Sequence, residues 1–255
     1  MRSNTRLFLV LWLAGMVGVL SLLLIDLEAL LRILPLPADA EIPMSIPALK
    51  AISMVQPAVL VAAAVLIGVA LAPKVGLLSP VAEAAANGGS VISAIRPQIV
   101  PGLLGGLAGG GSIVFTAAVL KPSLPSETVV RLGQFSNMLP IPTRLLYGGI
   151  TEEVLLRWGF MTLLVWAAWR LFQKGRLRPN PAIVVAAIFV SSLVFAIGHL
   201  PVALMLFPEP APALILFVLV GNSAFGLVGG CFGGLPRRCS GSVARCGSAA
   251  TPTGW

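Results

Sequence analysis

Two acids and a base stand together in an otherwise apolar stretch, Glu152-Glu153-Val-Leu-Leu-Arg157. Charged side chains at bilayer depth are costly, and they face a protein interior or a wet cavity where they serve a function. On a helix, Glu153 and Arg157 are i and i+4 and can pair, whereas Glu152 lies about 100° around the axis. One carboxylate is therefore neutralised by its neighbour and the other is left for chemistry. The chain's single histidine, His199, lies late in a second apolar run, in Phe195-Ala-Ile-Gly-His199-Leu-Pro201, with Pro201 expected to kink the chain just beyond. A lone histidine on an apolar helix is commonly a packing residue. Sharing a membrane domain with an unpaired carboxylate turns it into a candidate partner, because the two can act as a general base on water.

The elements that must position these residues are helices in a membrane. Of the 255 residues, 57% are hydrophobic and 10% charged, and the mean hydropathy is +0.98; soluble domains carry about 25% charged residues. Apolar runs fall at 7–25, 51–72, 97–120, 181–198 and 211–230, with a sixth span over about 145–169 that holds the acidic cluster. Each approaches the roughly 20 residues that a spanning helix needs. The expected fold is all-α, a polytopic bundle of about six spanning helices. The first run is longer than a signal-peptide core, and Ala38-Asp39-Ala40 lies far downstream, so it reads as a retained helix.

The net charge of +8 does not imply a nucleic-acid partner. The basic residues cluster at helix ends, Arg2/Arg6, Lys74 with Arg96, and Arg170/Lys174/Arg176/Arg178, alternating as the positive-inside rule expects for a cytoplasmic N-terminus. Lys121, Arg131 and Arg144 depart from that pattern. The expected setting is a multi-pass protein of a prokaryotic plasma membrane.

Glu152-Glu153-xxx-Arg157 followed by Phe195-xxx-His199 resembles the first two motifs of the CPBP (ABI) family, the type II CAAX prenyl endopeptidases and their bacterial relatives. The likeness covers roughly 140–230; the first hundred residues match only in being hydrophobic. The resemblance implies an intramembrane endopeptidase in which Glu152 activates the attacking water and His199 positions or polarises the water or the intermediate. It further implies that Glu153 and Arg157 form a supporting ion pair, that Phe195 shapes the site, and that the substrate is a membrane-associated peptide or protein. No cofactor is expected. One histidine with acids is a poor zinc set, and a metal-dependent variant would fall on Glu152 and His199. The family's third motif, His-xxx-Asn or His-xxx-Asp, is absent because no histidine follows His199. Asn222, in Gly221-Asn-Ser-Ala-Phe225-Gly226, lies in a small-residue helix like the one preceding that motif; it either touches the site or bonds between helices.

Along the chain, residues 1–95 read as N-terminal transmembrane helices, with Ala84 to Ser90 a small-residue linker. Residues 96–230 form a protease-like core. Within it, Gly105-xxx-Gly109 and Gly106-xxx-Gly110 permit close helix approach. Residues 121–143, rich in proline, are expected to form an interfacial loop or short amphipathic helix, with Thr143 or Thr151 as candidate helix caps. After Gly230 the composition turns to Gly, Ser, Arg and Cys, and Cys231, Cys239 and Cys246 are the only cysteines. Residues 231–255 read as a shift of reading frame that replaced a further helix, as a plain disordered extension, or as a cysteine site of no standard spacing. Two rival functions stand beside the protease: a non-enzymatic scaffold of the same fold, and a carrier relaying protons between Glu152 and His199.

Overall fold

The computed structural model describes residues 3–35, 44–175, 178–207 and 212–234, with side chains of the last helix described as far as Val228. The described residues form helices and turns, with no strand among them. α1 (Ser3–Ser21) runs into a short 3-10 turn, and Asp26 then accepts the N–H of Ala29 to cap α2 (Leu27–Ile33). α3 (Ile46–Val75) ends where Gly76 takes the left-handed conformation, φ 74°, which only glycine adopts without steric cost. α4 (Pro80–Asn87) ends the same way at Gly88 and leads into α5 (Val91–Leu120). The segment from Ala84 is therefore mostly helix and not the expected linker, since Pro80 opens a helix at its first turn and the alanines continue it.

α6 (Ser126–Met138) is the short amphipathic helix expected before the acidic span. Its Arg131 pairs with Glu127 at 3.1 Å, donates to the carbonyl of Leu206 at 3.0 Å and lies 5.5 Å from the ring centre of Phe207. Arg144 donates to the carbonyls of Ser136 and Leu139 at the end of α6. Two of the three cations that depart from the charge pattern are thus held by local bonds.

The acidic helix spans Ile141–Phe172 without a break. It comprises α7 (Ile141–Thr143), two π-helical stretches (Arg144–Thr151 and Val154–Met161) and α8 (Thr162–Phe172). After it come α9 (Pro181–Gly198), α10 (Leu200–Leu206) and α11 (Pro212–Gly234). Pro181 and Pro201 each sit in a first turn, where the missing N–H is not needed.

Five helices are long and apolar enough to cross a membrane: Ser3–Leu24, Ile46–Val75, Val91–Ser123, Ile141–Phe172 and Pro181–Leu206. The sixth expected span is α11, whose described apolar part, Pro212–Val228, is shorter. Large apolar side chains such as Leu13, Ile52, Leu107, Phe115 and Phe189 are more than half exposed on the outer faces. Soluble monomers rarely expose apolar surface on this scale; with spanning lengths it marks an integral membrane protein, an all-α polytopic bundle.

The acidic helix is the centre of the packing. α1 and α3 cover one side, α9 lies on another, and α11 sits between α9 and α5. Thr143 and Thr151 do not cap helices. They donate to the carbonyls of Ser21 and Gly15, both at 2.8 Å, and so join the acidic helix to α1. Gly18 makes this approach possible, because a Cβ there would strike Thr151 Oγ1 and the carbonyl of Leu146. Of the two glycine pairs on α5, Gly105 and Gly109 are buried, with Gly109 against Phe225, while Gly106 and Gly110 meet open space.

Candidate active site

Glu152 and Glu153 lie between the two π-helical stretches. The N–H of Glu152 reaches back to the carbonyl of Tyr147, five residues earlier. Such wide turns are rare and, where they occur, are frequent at functional sites, and here two eight-residue stretches of them flank the acids; they are not legible from the sequence. The i,i+4 pairing of Glu153 with Arg157 nevertheless forms, as an ion pair with direct hydrogen bonding. Glu152 has neither an ion-pair nor a hydrogen-bond partner among the described residues.

Glu152 borders two cavities. One is a small space of about 20 Å³ whose largely apolar wall carries Glu153, Arg157, Ser191 and Ser192 beside Phe195. A water needs roughly 10–15 Å³ and two to four polar partners; this space meets both conditions. The other is an apolar cleft of about 580 Å³ between α3, the acidic helix and α9. Tyr147, Glu152 and His199 are its polar wall groups; Leu60, Leu155 and Val202 are among the apolar ones.

His199 ends α9, its backbone N–H shared between the carbonyls of Ala196 and Ile197. Its Nδ1 lies 2.8 Å from the carbonyl oxygen of Phe195. A carbonyl only accepts, so Nδ1 carries the proton and a neutral ring has its lone pair on Nε2. The rings of Phe195 and His199 meet edge to face, with centroids 4.5 Å apart and an interplanar angle of 71°. Phe225 of α11 backs Phe195 at 6.2 Å, and Gly109 admits the Phe225 ring, which a Cβ there would approach to 3.1 Å.

Four of the supporting and catalytic candidates therefore share a cavity wall with Glu152: Glu153, Arg157 and Phe195 in the small space, and His199 in the cleft. Asn222 does not join them. Its Nδ2 donates to the carbonyl of Val218 in its own helix at 2.8 Å, and it lines neither cavity. Among the described residues the interhelical bond expected as its alternative role is not formed either, the amide bonding one turn back within its own helix.

Ser191 and Ser192, which the motif reading passed over, are buried on the wall of the small cavity and both donate to the carbonyl of Ile188. Their oxygens can still accept. A serine pair one turn before Phe195 on the same helix was the available signal. Tyr147, the chain's one tyrosine, is the other group found only in the structure.

A catalytic zinc takes three protein ligands and an open position. Among the described residues no three of His, Cys, Asp and Glu come together, and Glu153 is engaged by Arg157. Glu152 and His199 alone do not fit a metal, and the chemistry is derived without one.

Residues 134–244 match the family described as type II CAAX prenyl endopeptidase, Rce1-like. That segment is similar to the Rce1-like family. No curated protein and no solved structure matches the chain. The Rce1-like segment carries every residue of the Glu152 cluster, while the α3 wall of the cleft lies N-terminal to it. Residues 235–255, most of the stretch read as a frame shift, an extension or a cysteine site, lie outside the described residues.

Proposed function

We propose that this protein is a membrane-embedded endopeptidase of the CAAX-protease type that hydrolyses a peptide bond with a water activated by Glu152. The observation that carries the reading is the position of Glu152 on the common wall of a water-sized cavity with charged and hydroxyl groups and an apolar cleft that also exposes His199. Water supplied from the small cavity and standing on the cleft side of Glu152, where His199 also lies, gives a proton to the Glu152 carboxylate as its oxygen attacks the peptide carbonyl carbon. The lone pair on His199 Nε2 accepts the second hydrogen of that water and fixes its direction. The proton on Glu152 then passes to the leaving amine as the C–N bond breaks. Arg157 balances Glu153, so the site holds one uncompensated negative charge when Glu152 is ionised, and that charge is the base.

The substrate in this reading is a membrane-associated peptide or protein reaching the site from the bilayer, with no cofactor and no nucleic acid. Arg6, Lys74, Arg96 and Arg170 gather toward one end of the bundle, where Ser3 donates to Asn87 at 2.9 Å. This supports a cytoplasmic N-terminus, and the membrane in this reading is a prokaryotic plasma membrane.

The absence of a histidine after His199 favours one alternative, a non-enzymatic scaffold of the same fold. The deciding experiment uses a membrane-tethered cleavable reporter, with this chain and with one whose reading frame past codon 230 is restored. Cleavage that Glu152→Gln reduces by about 10²–10⁴-fold, the range of general acid–base contributions, is the expected result. Cleavage unaffected by Glu152→Gln would sink the mechanism, and no cleavage by either wild-type form would leave the scaffold.

A further inference from the structure

Hydrolysis within a bilayer consumes a molecule that the bilayer does not supply. The apolar cleft suits a lipid-borne substrate and is a poor conduit for water, since most of its wall is hydrocarbon. A third cavity, of about 350 Å³, lies on the other side of the acidic helix, against α1, α5 and the turn after α3. Its wall carries Ser79, Gln98, Glu153, Arg157 and Thr162. Gln98 uses one amide N–H on the carbonyl of Ala94 at 3.0 Å, which leaves its own carbonyl oxygen able to accept from water. Ser79 belongs to the turn between α3 and α4, so the cavity extends toward the bundle end that holds Ser3 and Asn87.

Glu153 and Arg157 line this third cavity and also the water-sized space beside Glu152. The ion pair is thus the partition between them. Charged groups hold water in a channel wall far better than aliphatic ones do, and a solvated ion pair can pass a water from one face to the other without breaking its own contact.

We propose that the Ser79–Gln98 cavity is the route by which water reaches Glu152, entering behind the Glu153–Arg157 pair and separate from the cleft that admits substrate. This rests on the hydrolytic reading of Glu152, but it is tested without activity. In a full-length chain with Cys231, Cys239 and Cys246 replaced by serine, Ser79→Cys and Gln98→Cys are compared with Leu60→Cys and Val202→Cys in membrane vesicles. The probes are a charged, membrane-impermeant methanethiosulfonate and the permeant N-ethylmaleimide. The charged reagent is expected to modify Ser79→Cys and Gln98→Cys at least ten times faster than the two cleft positions, while N-ethylmaleimide reaches all four. Equal or reversed rates for the charged reagent would overturn the route, whether or not the chain is a protease. Where cleavage is measurable, Gln98→Trp, which fills the cavity, is expected to lower it at least ten-fold with N-ethylmaleimide access to Val202→Cys unchanged. Undiminished cleavage by a folded Gln98→Trp protein would equally overturn it.

Discussion

His199 donates its Nδ1–H to the carbonyl oxygen of Phe195, one turn earlier on the same helix, and the Phe195 ring meets the imidazole edge-on. Phe195 thus does two things for the histidine: its backbone selects the tautomer and its ring fixes the plane. In the neutral imidazole this leaves Nε2 as an acceptor on the cleft wall, which suits orienting a water better than donating to an oxyanion.

That division of labour separates two substitutions. His199→Asn keeps an amide N–H able to reach the Phe195 carbonyl but has nothing in place of Nε2. It is expected to stay folded, with thermal stability near that of the parent, and to lose about 10²–10⁴-fold in cleavage. Thermal unfolding in detergent and the tethered reporter read the two quantities. A His199→Asn variant with parental activity would remove Nε2 from the mechanism.

The Glu153–Arg157 pair is structural in this account, with side chains 37% and 25% exposed. Glu153→Ala strands a guanidinium at membrane depth, and Arg157→Ala leaves two acids side by side. Each single change is expected to destabilise more than the double change. The coupling in a double-mutant cycle should be about 1–3 kcal/mol, as for residues in direct contact. Additive effects in chemical or thermal unfolding would show that the pair is not an energetic unit.

The seam between α1 and the acidic helix places the catalytic candidate. Thr151 precedes Glu152 and donates to Gly15, while Gly18 leaves room for Thr151 and Leu146. Gly18→Ala is expected to cost about 1–3 kcal/mol through overpacking. Thr151→Val, which removes only the hydrogen bond, should cost nearer 0.6 kcal/mol, the average for polar contacts between membrane helices. Cleavage should fall with Gly18→Ala even at temperatures where the protein remains folded, because the displaced helix turn carries Glu152.

The two glycine pairs of α5 give a contrast within one helix. Gly109→Val pushes against Phe225, which backs Phe195, whereas Gly106→Val projects into open space. Gly109→Val is expected to lower both stability and activity and Gly106→Val to change neither in the monomer. Equal effects at the two positions, measured by thermal unfolding and cleavage, would contradict this packing of α11 on α5.

What the sequence determined by itself is what local chemistry fixes. The apolar runs gave the helical class and the spans, because length and hydrophobicity alone decide whether a helix can lie in lipid. The i,i+4 spacing gave the Glu153–Arg157 pair, and Pro201 after His199 gave the end of α9. The tertiary structure decided what depends on residues far apart in the chain. Thr143 and Thr151 bond to α1 and not to helix ends, since their acceptors lie 122 and 136 residues away. The two π-helical stretches around Glu152 leave no signature in the residue pattern, because they shift backbone bonds by one residue within a helix of ordinary composition. Gln98 and Ser79 have no motif at all; only the packing of α5 and the α3–α4 turn against the acidic helix sets them beside Glu153 and Arg157. A cavity is the space between elements, and no single stretch of sequence encodes it.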